Sequence, residues 1–99
     1  MERCLEDKYP REFERIKDVR RLFQEGEQQH NCVFSRRFMI REDRATVYHW
    51  GYNEKNYTIQ FGIDEYDLFY IQKIKGRFNE PCSPSVMREL NKRLSYVQQ

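Results

Sequence analysis

A histidine two residues before a cysteine, His30-Asn31-Cys32, is the pairing in this chain best suited to chemistry. An imidazole beside a thiol lowers the thiol's pKa and readies it as a nucleophile, with the histidine as acid or base. Spacing decides whether this is realised, because residues i and i+2 share a face on a strand and point apart on a helix. Free cysteine is also among the most buried residue types, and the plainer role of apolar filler is preferred for Cys32. Gln72 lies in phase with Leu68, Tyr70 and Ile74, so its amide is expected to turn toward the core face or a pocket. A buried amide needs a partner, and Asn79 or the backbone near Cys32 are the candidates. The expected result is a polar clip between the loop after the last strand and the Cys32 turn. Its functional version is a small pocket of His30, Cys32, Gln72 and Asn79 that takes a polar ligand.

Other chemistries have less behind them. His30, Cys32, His49 and Cys82 hold enough ligand atoms for zinc, but no Cys-x-x-Cys or His-x-x-x-His pair arranges them, so no metal is expected. The four glycines are not clustered, so there is no phosphate-cradling loop. Arg36, Arg37, Arg41 and Arg44 precede Tyr48, Trp50 and Tyr52, residue types that hold phosphates and stack bases. Alternation places those three aromatics on one face, where core packing is the more economical use for at least half of them.

The 99 residues fit a single domain, with no Pro/Gly/Ser-rich linker to divide them. Hydrophobic residues make up 38% and charged residues 34%, so the core has to draw on the seven Phe, seven Tyr and Trp50. A net charge of +2 does not argue for generic nucleic-acid affinity. Three widely spaced cysteines argue against a disulfide framework and for a reducing compartment. Charge from Glu2 onward and the lack of any long apolar run predict a cytoplasmic protein without signal peptide or membrane span.

The elements that position these residues follow from periodicity. Phe13, Ile16, Val19 and Phe23 form a stripe at helical spacing, which predicts a helix over 10–24 that Gly26 ends in the left-handed conformation. A short helix is expected within residues 1–8 and another within 30–40, the latter followed by a turn at 42–44. Three alternating segments, 45–52, 57–63 and 68–75, predict strands joined as hairpins. Ser83 and Pro84 open a last helix whose buried stripe is Val86 or Met87, Leu90, Leu94 and Val97, with Glu89 paired to Arg93. The expected fold is α+β: a three-stranded antiparallel meander with N-terminal helices and a C-terminal helix (83–97) packed on it in two layers.

Residues 22–82 resemble the PcfJ-like family of conjugative plasmids, phages and related mobile elements. The likeness rests on Leu22 with Glu25-Gly26, His30-Asn31-Cys32-Val33, Tyr57-Thr58-Ile59-Gln60, and the block Ile71-Gln72-Lys73-Ile74-Lys75-Gly76-Arg77-Phe78-Asn79-Glu80-Pro81. Arg36 stands where the family usually has a tyrosine. Gln60 stands where an acidic residue usually ends the strand motif, so any catalytic use of that carboxylate would be lost here. The resemblance implies a mobile-element origin in a bacterial host and brings no settled activity.

The expected function is a small non-enzymatic module that binds a protein or nucleoprotein complex, an inhibitor of host defence belonging to the same class. Arg36, Arg37, Arg41, Arg44, Lys73, Lys75 and Arg77 would form its contact set, because arginine and aromatic side chains dominate interface energetics. Two alternatives stand beside it. One is an enzyme using Cys32 or His30 with Gln60, Gln72 and Asn79 at its pocket. The other is a structural unit, most simply a homodimer through the sheet or the last helix. No cofactor is expected.

Overall fold

The computed structural model describes residues 5–29 and 45–98. Its elements are α1 (Leu5–Lys8), β1 (Phe13–Ile16), α2 (Val19–Gln29), β2 (Ala45–Tyr52), β3 (Lys55–Ile63), β4 (Phe69–Gly76) and α3 (Pro84–Val97), with a 3₁₀ turn at Arg77–Asn79 before α3. The strands form one antiparallel meander in the order β1-β2-β3-β4. The α+β class, the three expected strands, their hairpin connections and the last helix are as the sequence implies.

The N-terminal third differs. Instead of one helix over 10–24, Phe13–Ile16 pairs with β2 as a fourth strand, Phe13 opposite Trp50 and Ile16 opposite Val47. The stripe that mimics a helix is divided between two elements. On a strand, positions three apart face opposite sides, and both sides here are apolar. Phe13 stacks on Trp50, with ring centroids 5.5 Å apart and planes 3° apart, whereas Ile16 packs with Leu22 and Val47. Asp18 then starts α2, its carboxylate accepting from the Arg21 N–H at 2.7 Å. Gly26 lies inside α2, which continues to Gln29, and no described glycine has positive φ. The expected helix within 30–40 and turn at 42–44 fall outside the described residues.

The sheet is covered on both faces, so the described fold has three layers where two are expected. On one face, Leu90, Leu94 and Val97 of α3 and Leu5 of α1 pack on Phe13, Tyr48, Trp50, Tyr57, Ile59, Phe61 and Ile74. Trp50 is fully buried, touches Tyr52 and Tyr57 besides Phe13, and donates its indole N–H to Glu12 at 3.0 Å. Arg93 of α3 reaches the same carboxylate at 2.8 Å, pairs with Glu89 at 3.0 Å and lies over the Tyr52 ring. It is therefore a tie between α3 and β2, not a free surface cation. On the other face α2 lays Leu22 and Glu25 over Val47, His49 and Thr58.

The start of α3 matches its capping signal. Ser83 Oγ accepts from the Val86 N–H at 3.3 Å and Pro84 occupies the first turn. The two outer edges of the sheet are β1, only four residues long, and β4. On β4 the side-chain amide of Gln98 accepts from the Phe69 N–H at 2.6 Å and donates to the Phe69 carbonyl at 3.1 Å. At the other end of the strand the Gly76 N–H donates to the Glu80 carbonyl at 2.7 Å. Among the described residues no helix is long and apolar enough to cross a membrane.

Candidate functional site

Three features lie on or beside the sheet face that α2 covers. The first is a buried polar cluster centred on Glu25, whose side chain has no solvent exposure. His49 Nδ1 sits 2.8 Å from each of its oxygens, Thr58 Oγ1 donates at 2.6 Å, and Arg21 Nη2 lies 3.2 Å away. Arg21 also grips Glu14 with two hydrogen bonds of 2.8 and 2.9 Å, and these hold the Glu14 carboxyl below its ordinary pKa. Register explains the gathering: Glu14, His49 and Thr58 are lateral neighbours across β1, β2 and β3. Arg21 and Glu25 are one helical turn apart above them.

This cluster has the ingredients of acid–base chemistry but not the vacancy. His49 Nε2 faces Asn56 Oδ1 at 3.1 Å, so both ring nitrogens point at acceptors and the ring is held as imidazolium. Hydrogen bonding to Glu25 raises the His49 pKa against the opposing effect of burial. A general base needs an unprotonated nitrogen within reach of substrate, and here each nitrogen is committed. The cluster therefore anchors α2 to the sheet.

The second feature is β4 itself. A β-bulge between Gln60 and Phe61 on β3 sets Lys73 opposite Gln60 and Ile71 opposite Phe61, leaving Gln72 as the extra residue. The bulge shifts the phase of the strand, so Ile71 and Ile74, three apart, both reach the core. The expectation that Gln72 points into the core is overturned for this reason: Gln72 is exposed. It accepts from Gln60 Nε2 at 2.6 Å and donates to Tyr70 Oη at 3.1 Å. Its clip joins neighbouring strands, and its partner is not Asn79. Gly62 makes room for this arrangement, since a Cβ there would stand 2.5 Å from Tyr70 Cζ and 2.6 Å from Gln72 Nε2. Gly62→Ala is expected to swing Tyr70 outward and cost about 1 kcal/mol, the worth of one hydrogen bond. In a Tyr70→Ala background the same change should cost almost nothing, which denaturant titration of the double-mutant cycle checks.

Lys73 and Lys75 share the α2 face of β4, and Arg77 follows at the start of the turn. No described carboxylate pairs with any of the three. Phe78 and Asn79 both take left-handed backbone, φ 58° and 62°. Such conformations are costly for a residue with a large side chain. The outcome is a Phe78 ring 64% exposed beneath the Arg77 guanidinium, 5.3 Å from its centroid.

The third feature is a groove of about 500 Å³ between the β2–β3 hairpin and the start of α3. Asn53 and Glu54, both with positive φ, make the two-residue hairpin turn at its rim. Gln29 at the end of α2 and Arg77 also line it, so the end of α2 and the turn after β4 do come together. Gln29 is 3% exposed, and its Nε2 has no hydrogen-bond acceptor among the described residues.

The candidates named from sequence are thus divided. Gln60 and Gln72 meet directly, Lys73, Lys75 and Arg77 form one row, and Asn79 sits in the adjoining turn, exposed. His30, Cys32, Arg36, Arg37, Arg41 and Arg44 lie outside the described residues. Cys82 donates its thiol to the Ser83 carbonyl at 3.5 Å, and burial pushes its pKa up. Among the described residues no three metal-ligating side chains converge. Sequence reasoning missed the Glu25–His49 pair; the only hint was that Glu25 and Thr58 both belong to the blocks carrying the PcfJ-like resemblance. No family model, curated protein or solved structure matches this chain.

Proposed function

We propose that the chain is a small non-enzymatic binding module that engages the single-stranded nucleic acid of a nucleoprotein complex through β4. The row Lys73, Lys75, Arg77 without acidic partners carries this reading. Side chains two apart on a strand stand about 6–7 Å from one another, a spacing at which successive cations can follow one extended backbone. Tyr70 on the same face and Phe78 beside Arg77 supply exposed rings, and base stacking on aromatics together with a cationic track is how single strands are held without sequence readout. The commitment of both His49 nitrogens favours binding over catalysis. The likeness of residues 22–82 to the PcfJ-like family supports a mobile-element setting in a bacterial host.

Fluorescence anisotropy with a labelled single-stranded oligonucleotide tests this. Three neutralised phosphates give a log–log salt slope of about −2, a loss of roughly 20-fold in affinity between 50 and 200 mM salt. The triple variant Lys73→Gln, Lys75→Gln, Arg77→Gln should flatten that slope. A flat salt response of the parent chain, or full salt-dependent affinity in the triple variant, overturns the reading.

A further inference from the structure

We infer that the groove at the start of α3 holds the terminal phosphate of the strand that runs along β4, an inference that rests on the reading of β4 above. Three observations converge. Arg77 belongs to both places: it ends the cationic row and lines the groove, so a chain following Lys73 and Lys75 is led into it. The volume, about 500 Å³, lies within the range of pockets that take small molecules. The donors then suit a phosphoryl group.

The first turn of α3 opens on the groove through Ser83, Ser85 and Val86. The Val86 N–H is already taken by the Ser83 hydroxyl, whereas the Ser85 N–H is among the first-turn donors with no acceptor inside the helix. Such a turn favours negative charge. The independent sign of a ligand comes from another element. Gln29 of α2 is almost wholly buried, lines the same groove, and leaves its Nε2 without an acceptor among the described residues. A buried amide in that state carries an uncompensated loss of hydration that an incoming oxygen removes. Lys55 on the hairpin adds a cation, and Asn56, its Oδ1 held by His49, has its Nδ2 left to donate.

Glu54 and Glu80 also line the groove. They oppose a bare anion but accept from the sugar hydroxyl and base amino groups that accompany a terminal phosphate. This makes the end of a strand a better occupant than free phosphate.

The test compares anisotropy of three oligonucleotides of one sequence, carrying a 5′-phosphate, a 3′-phosphate or neither, with inorganic phosphate as competitor. One terminal phosphate should tighten binding roughly tenfold, the worth of a charge-assisted hydrogen bond. The gain should vanish in Lys55→Gln, an exposed position that leaves folding intact, and in Gln29→Leu, while affinity for the unphosphorylated strand is unchanged. In the parent chain the Gln29 side-chain amide resonances should shift only with the phosphorylated end. Equal affinity for all three oligonucleotides overturns the groove assignment and leaves the β4 reading standing. Inorganic phosphate that abolishes the end preference at the concentration of the oligonucleotide overturns the strand-end assignment. Binding of none overturns both.

Discussion

Glu25→Ala is expected to lower the unfolding free energy by about 3–5 kcal/mol, the usual consequence of removing one partner from a buried ion pair. The carboxylate it removes satisfies His49, Thr58 and Arg21 together, and no water reaches the space it leaves. A domain is stable by only about 5–15 kcal/mol, so the variant should show a large fall in denaturation midpoint by circular dichroism. A loss below about 1 kcal/mol would mean that the cluster does not anchor α2. The same cluster sets a pH dependence. His49 has a pKa above its ordinary 6.5 in the folded chain, chiefly through its hydrogen bond to Glu25. The stabilisation it brings is therefore fully present below pH 6.5 and is lost as pH rises through the raised folded value. Denaturation midpoints measured across that window should fall in the parent chain and stay level, apart from other groups, in His49→Gln.

Trp50→Ala should cost a similar amount, about 3–5 kcal/mol, from the other side of the sheet. Trp50 is buried among Phe13, Tyr52 and Tyr57, and its N–H satisfies Glu12, which Arg93 also holds. Truncation opens a cavity and frees the link between α3 and β2 at one stroke. Circular dichroism is the right probe, because Trp50 is the chain's one tryptophan and its fluorescence disappears with it. By contrast Tyr96→Ala, at an exposed position of α3, should stay within about 0.5 kcal/mol of the parent. If the two variants are equally stable, the aromatic cluster does not dominate this core.

What was legible in the sequence was local. The alternation in β2 to β4, the Ser83-Pro84 start of α3 and the use of Tyr48 and Trp50 as core all follow from nearest-neighbour patterns. What escaped was non-local. Phe13 and Ile16 read as helix because three-residue spacing fits a helix, and only a sheet covered on both sides makes that spacing serve a strand. The bulge at Gln72 leaves no mark on the sequence, yet it turns an amide read as buried to the surface. Glu25 and His49 stand 24 residues apart, and nothing in either neighbourhood announces the other. The cysteine chemistry with which the sequence opens, His30 and Cys32, belongs to residues outside the described structure.

The Gln98 amide on Phe69 has a consequence for how copies of this chain meet. An outermost strand is a template on which another chain can lay its own backbone, and unchecked templating leads to fibres. Here one backbone donor and acceptor are occupied by a side chain imitating a neighbouring strand, the bulge distorts the middle, and the Glu80 carbonyl stoppers the far end. Lysines along the same strand add repulsion between like edges. Self-association by continuing the sheet is thereby obstructed, so the strand can offer its charged side chains to a partner without inviting another copy to polymerise on it.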